Sequence, residues 1–345
     1  MTVRVGFLGA GLIATYHSKS LRRSGADAAW TGVYDPDRER ADRFAAASGA
    51  PVRASEHEVL DNCDAVYVMT WTAEHERLVA AAADRGLAVF CEKPLATDAA
   101  GAGRMTEAVT AAGVVHQVGL VLRHSPVFAL ARDLVAEEES GRVMSVVFRD
   151  DQFIPIQGHY GSTWRGDVAK AGAGTLLEHS IHDLDVLDWV IGPLESVSAR
   201  SVEFHGIAGI EDSVAATVAF TAGGVGVLTS VWHDILERPS LRRLEIFSER
   251  LYVGVEGDWF GPIRWQQTGT NEESLEGEAL VAECERRGLT LGNPDGLFVA
   301  AVADGRPAWP GFDVALRAHL AADAVYRSAA AGGEPVAIPR SGAEM

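Results

Sequence analysis

Two histidines and four carboxylates lie within GTLLEHSIHDLDVLDW (174–189): Glu178, His179, His182, Asp183, Asp185 and Asp188. Such a set can ligate a metal, move protons, or form a solvated helix face. The zinc spacing HExxH needs histidines four apart with a glutamate between them. Here they are three apart, Glu178 lies outside the pair, and no fourth ligand follows in sequence, so no metal is expected. Read as one helix over 175–191, the stretch aligns Glu178, His182 and Asp185 on one face and Leu177, Ile181 and Leu184 on another. The polar face is then expected to look outward, into a cleft between domains, with Gly172 and Gly174 letting a ligand approach the backbone. A histidine, with an ordinary pKa of about 6.5, is the natural side chain to take a proton from a hydroxyl near neutral pH. Glu178 in turn can orient His182 or stabilise its charged form. Just before, STWRGD (162–167) offers Trp164 and Arg165 as lid or substrate contacts, or as an ordinary surface loop.

A second constellation lies upstream. Gly9-Ala10-Gly11-Leu12-Ile13-Ala14 directly follows an apolar strand-like run and opens a helical pattern. Gly9 suits a tight turn, Gly11 lets the backbone approach a pyrophosphate, and Ala14 is small enough for close helix–strand packing. Asp35, in VYDPD and roughly twenty residues further on, is placed to accept from an adenosine ribose. Its charge opposes a 2′-phosphate and favours NAD over NADP, while Arg38 can soften that preference or stack on adenine. VFCEKPLAT (89–97) ends a strand on Glu92, Lys93 and Pro94, where parallel sheets place their ligands.

These residues need a scaffold, and the chain supplies its pattern. Strand-like and helix-like segments alternate over the first 120 or so residues, as in a doubly wound parallel sheet buried on both faces. After residue 122 the texture changes to consecutive strands at 194–205, 212–220, 224–234, 241–247 and 250–255, with helices near 125–138, 293–303 and 313–329. This reads as an α/β chain in two domains. Residues 1–122 form a nucleotide-binding Rossmann domain, and 123–345 an α+β substrate and oligomerisation domain with an open, mostly antiparallel sheet. An open sheet covered on one face predicts a homodimer or homotetramer.

Bulk composition narrows the partners. With 345 residues, 47% hydrophobic and 23% charged, the chain is globular and long enough for two cores. A formal net charge of −18 disfavours nucleic acid and anionic membrane surfaces. No apolar run is long enough to span a bilayer. Cys63, Cys91 and Cys284 are odd in number and far apart, which fits a reduced cytoplasm rather than a disulfide framework.

Taken together, the glycine loop, MTWTAEH (69–75), Glu92-Lys93-Pro94, VGLVLRHSP (118–126) with Arg123, and the opening stretch resemble the Gfo/Idh/MocA oxidoreductases over nearly the whole chain. The resemblance implies that Glu92 holds the nicotinamide ribose and that Lys93 sits beside both nicotinamide and substrate hydroxyl. Thr70, Trp71 and His75 would lie along the dinucleotide, with Gly9, Gly11, Leu12, Ile13, Asp35, Arg38 and Arg123 completing the cofactor set. Lys93, His182 and Glu178 would be catalytic, with Trp164, Arg165 and His179 beside them at the substrate, a sugar, cyclitol or related polyol. The base is either Lys93 or His182. Two departures stand out: Trp71 replaces a common proline, and Glu178 replaces the aspartate of the usual Asp-x-x-x-His. Three net outcomes follow: dehydrogenation or reduction with NAD(P), a redox-neutral sugar reaction on tightly bound NAD, or a non-catalytic nucleotide sensor.

Overall fold

The computed structural model describes residues 1–289 and 292–340. In chain order the first elements are β1 (Val3–Leu8), α1 (Leu12–Ser24), β2 (Ala28–Tyr34), α2 (Arg38–Ser48), α3 (Glu56–Leu60), β3 (Ala65–Val68), α4 (His75–Ala83), β4 (Ala88–Cys91), α5 (Ala99–Ala112) and β5 (His116–Val118). Next come α6 (Pro126–Ala136), β6 (Val143–Phe153), α7 (Val168–Ala171), α8 (Thr175–Glu178), α9 (Ile181–Val190), β7 (Leu194–Val202), β8 (Ser213–Phe220), β9 (Val225–His233), β10 (Leu241–Ser248), β11 (Leu251–Glu256), β12 (Ile263–Gln267) and β13 (Glu273–Leu275). The described chain closes with α10 (Gly277–Arg286), α11 (Pro294–Asp304), α12 (Phe312–Ala330) and β14 (Val336–Ala337).

The first compact unit is residues 1–120 with 292–316. Its sheet is parallel throughout, in the order β2-β1-β3-β4-β5. An isolated parallel bridge from Val33 to Val52 extends it beyond β2. Val52 thus stands where a further strand completes the Rossmann order 3-2-1-4-5-6, reduced to one pairing. β3 and β4 are buried along their full length, as their unbroken apolar sequences require when both faces are covered. The strand order reverses between β1 and β3, so the crevice for ligands lies beyond their carboxyl ends. The core stacks Phe7, Tyr67 and Phe90 and is closed by Phe298 of α11. Residues 292–316 therefore belong with the first core. This differs from the contiguous 123–345 domain read from sequence, because the apolar face of α11 is matched by a partner near the chain's other end.

The second unit, 121–291 with 317–340 of the described residues, is built on a nine-stranded sheet, β13-β12-β11-β10-β6-β9-β8-β7-β14. It is antiparallel except for the parallel pair β6–β9. Val146, Phe148, Val218, Leu228 and Leu244 point into one core with α6 and α9. Alternation puts Val147, Val225, Val227 and Phe247 on the opposite, exposed face. β12, β13 and α10 were not anticipated from the sequence. Cys63, Cys91 and Cys284 are buried, free thiols.

Candidate active site

In the first unit the glycine loop joins β1 to α1. Gly9 has φ +94, and a side chain there would strike the Met69 carbonyl, so glycine is required on both conformational and steric grounds. A Cβ at Gly11 would meet nothing within 4 Å, which leaves the space above it open. Gly11 also caps α1, and no side chain occupies the helix N-terminus. Ala14 is fully buried in the helix–strand contact, as its size predicts. Leu12 and Ile13 are exposed on the first turn. Asp35 braces the loop: Ala10 N–H donates to its Oδ2 at 2.9 Å, and Asp37 N–H to its Oδ1 at 2.8 Å. Each oxygen keeps a second lone pair, so a ribose can still be received. Open backbone at a helix N-terminus beside a half-buried carboxylate fits the pyrophosphate and ribose of a dinucleotide. Arg38 turns away, pairing with Asp42 at 2.9 Å on the helix surface.

His75 is buried and works as a staple. Its Nδ1 lies 3.1 Å from the Pro94 carbonyl and its Nε2 3.2 Å from that of Thr70. The loop after β3, with Thr70 and Trp71, is thereby tied to the loop after β4. Thr70 Oγ1 donates to the Trp71 carbonyl at 3.3 Å.

Glu92 and Lys93 leave the carboxyl end of β4, and the Lys93–Pro94 peptide is cis. Glu92 is 7% exposed, and both its oxygens are engaged. Lys93 N–H donates to Oε2 at 3.1 Å, and His17 Nε2 lies 2.8 Å from Oε1. The other ring nitrogen of His17, Nδ1, lies 2.7 Å from Asp295 Oδ1. Burial works against the Glu92 carboxylate, but the hydrogen bond and charge of His17, with Lys93, hold it below the usual range. Burial likewise opposes the charged imidazole. Asp295 and then Glu92 outweigh it, and His17 is pushed up to about 10. Neither His17 nor Asp295 was picked out from sequence. A signal for His17 existed: it lies three residues after Ala14 on the buried face of α1, where an apolar side chain is expected. Asp295, in the first turn of a helix, reads as ordinary capping and gives no such signal.

In the second unit the 175–191 helix is not continuous. α8 ends at Glu178, and α9 begins at Ile181 after a break at His179 and Ser180. Glu211 caps the start of α8, and the break follows where one carbonyl is shared by two successive N–H groups. The Glu211 carboxylate takes the N–H groups of Gly174 and Leu176 at 2.7 and 2.9 Å, and its carbonyl takes that of Thr175 at 2.8 Å. The Thr175 carbonyl then accepts from both His179 and Ser180, each at 3.0 Å. A side chain on Gly174 would run into the Glu211 backbone. Gly174 thus admits a neighbouring strand entry, a correction to its expected role in admitting a ligand. Gly172, at φ +87, is required by backbone conformation.

The expected outward polar face is also corrected. Glu178, His182, Asp183 and Asp185 are all buried. Arg165 Nε donates to Glu178 Oε2 at 2.8 Å while its guanidinium lies 4.4 Å from the Trp164 ring centre. Arg123 is itself buried in a bidentate pair with Asp185, 2.8 Å at the shortest, beside the Trp189 ring. Its guanidinium serves α9, a role the sequence reading did not foresee. His179 Nε2 lies 3.0 Å from Asp150 Oδ2 and 3.2 Å from Arg242 Nη2. Arg242, buried, also donates to Asp183 at 2.6 Å and to Asp258 at 2.9 Å. Burial, followed by repulsion from Asp150, pushes Asp183 up to about 7. Among the described residues no group of three or more His, Cys, Asp or Glu is arranged to hold a metal ion.

A nucleotide loop on a parallel sheet, followed by an α+β unit, defines a dinucleotide-binding protein of two compact units. The chain belongs to the Gfo/Idh/MocA oxidoreductase family: the NAD-binding Rossmann model matches residues 3–120, and the family's C-terminal domain model residues 128–251. It is 35% identical over 205 residues to an inositol 2-dehydrogenase of Cereibacter sphaeroides, covering 59% of this chain and 58% of that protein. With the scyllo-inositol 2-dehydrogenase (NAD(+)) of Bacillus subtilis it shares 30% over 279 residues, 76% of this chain and 75% of the relative. The matches to several inositol dehydrogenases thus span about three-fifths of their length. In fold it is similar to levoglucosan dehydrogenase in complex with NADH, at a TM-score of 0.85 and 20% identity, covering 99% of this chain and 100% of that one.

Proposed function

We propose that this protein is an NAD-dependent oxidoreductase that transfers hydride between the nicotinamide and a secondary alcohol or keto carbon of a sugar, cyclitol or related polyol. The observation that carries the reading is the ionised, doubly tethered Glu92 with Lys93 at the end of β4, on the same sheet edge as the open glycine loop. The inositol dehydrogenase relatives support the substrate class. When bound, the nicotinamide accepts or returns the hydride. Gly9, Gly11, Leu12 and Ile13 cradle the pyrophosphate. Asp35 takes the adenosine ribose and opposes a 2′-phosphate, and Arg38, drawn to Asp42, does not offset it. Thr70 and Trp71 form a wall that His75 holds in place. Lys93 stabilises developing alkoxide charge, and His182 receives or returns the hydroxyl proton. Glu178, fixed by Arg165, acts electrostatically next to this chemistry, and Trp164 and His179 line the substrate side. A thermal-shift titration tests the cofactor: NAD raises the melting temperature and NADP raises it far less. Equal shifts with both, or none, contradict the assignment.

The exposed strip of Val147, Val225, Val227 and Phe247 supports a homo-oligomer closed face to face through this sheet, as a dimer or tetramer. Light scattering should give two or four times the chain mass, which Val227→Glu halves. A wild-type monomer refutes it.

A further inference from the structure

We propose that His17 and Asp295 are positioning residues: with Glu92 they form a buried carboxylate–imidazole–carboxylate bridge that fixes the Glu92 side chain, and through it the Lys93 backbone, for the nicotinamide half of the dinucleotide. The inference rests on the oxidoreductase reading above and adds two residues to it. Its geometry is explicit. Both ring nitrogens of His17 meet carboxylate oxygens, at 2.7 Å to Asp295 and 2.8 Å to Glu92. A carboxyl oxygen facing each ring nitrogen favours protonation of both, and the ring is raised towards the imidazolium form. That ring is enclosed by Phe90, Tyr67 and Tyr16, with centroids 4.9, 6.1 and 5.5 Å away. Side chains chosen for packing alone would be apolar here, since a buried ion pair adds little net stability over well-packed hydrophobes. The bridge supplies direction instead. Glu92 Oε1 is held by His17 and Oε2 by the Lys93 N–H, so the carboxylate cannot rotate. Gly119, lacking a side chain, leaves the space that the Glu92 carboxylate occupies. The free lone pairs of Glu92 are then aimed from the carboxyl end of β4, where a parallel sheet places its ligand. Asp295 arrives on α11 from 278 residues away, on the segment that Phe298 packs into the first core.

Isothermal titration calorimetry of the full chain with NAD, and separately with ADP, which lacks the nicotinamide ribose, tests the bridge. His17→Gln should weaken NAD at least about tenfold, because a charge-assisted hydrogen bond to Glu92 is lost, and should leave ADP within about twofold. Asp295→Asn, which keeps an acceptor but removes the charge, should act in the same direction and less. Equal losses for both nucleotides, or no loss, overturn the proposal and leave His17 a packing residue. Should His17→Gln fail to fold, Asp295→Asn is read by the same criterion. The nitrogen chemical shifts of His17 in the wild-type chain give an independent readout: an imidazolium at pH 8 supports the bridge, and a neutral ring there refutes it. A wild-type chain that binds no NAD fails the oxidoreductase reading itself. A wild-type chain that binds NAD no better than its variants do fails only the bridge.

Discussion

His17 in the first unit and Arg242 in the second are both buried cations among carboxylates, and the two surroundings behave differently. His17 faces Asp295 and Glu92 through one hydrogen bond each, and Glu92 stays ionised below its usual range. Arg242 is shared among Asp150, Asp183 and Asp258, with His179 at its edge. The Arg242 guanidinium divides its donors among three carboxyls, and the two buried ones, Asp150 and Asp183, also repel each other. Burial raises Asp150, and burial with the Asp150 charge lifts Asp183 to about 7. Asp150 Oδ1 and Asp183 Oδ2 receive no donor from the described residues, so one proton held between them satisfies both. The number of carboxylates per cation, and the number of hydrogen bonds each receives, decides whether a buried cluster is a rigid strut or a proton store.

The largest effect that sharpens this contrast is on the strut. His17→Gln leaves two buried carboxylates without their cation and should cost about 3–5 kcal/mol in urea unfolding at neutral pH. The folded-state pKa of His17 lies above its ordinary 6.5, at about 10, so its contribution to stability is complete below 6.5 and lost as pH rises through 10. The gap between variant and wild type should therefore be constant below about pH 6.5 and narrow steadily between pH 6.5 and 10. A gap that closes already at neutral pH breaks the contrast. A smaller effect of opposite sign is expected from the store. The Asp183 pKa is raised from 3.8 to about 7, so its contribution is full below 3.8 and lost as pH climbs through 7. Asp183→Asn mimics the protonated acid, flattens that pH dependence, and should match or exceed wild-type stability at pH 8 by about 1 kcal/mol. An Asp183→Asn variant less stable than wild type at pH 8 would show that Asp183 is needed as an anion.

Much of the first unit was legible because its signals are local. Gly9, Gly11 and Ala14 follow a buried strand at fixed spacing, and Asp35 closes the second strand. The antiparallel alternation of β7 to β11 was equally readable. What sequence could not supply is long-range. Phe298 and Asp295 join the first unit because α11 packs on a core built near the other terminus. The helix breaks at His179, where the Thr175 carbonyl accepts from both His179 and Ser180 and the Ser180 hydroxyl is tied to Asp150 and Ser230, partners distant in sequence. Asp185 and Arg123 look like solvent-facing or ligand-facing charges until each is seen to be the other's partner. Of the face expected to present Glu178, His182 and Asp185 together, Glu178 is tethered to Arg165 and Asp185 to Arg123, on either side of a break in the helix.

We have proposed that His182 takes the hydroxyl proton and Lys93 stabilises the alkoxide while a nicotinamide takes the hydride. The most direct test is the rate of NADH formation from NAD with a panel of sugars and cyclitols, for the wild-type chain and for Lys93→Ala and His182→Ala. The account predicts turnover by the wild type and a fall of at least about a hundredfold in each variant, the scale of a positioned acid–base group. Near-normal turnover in both variants would contradict it.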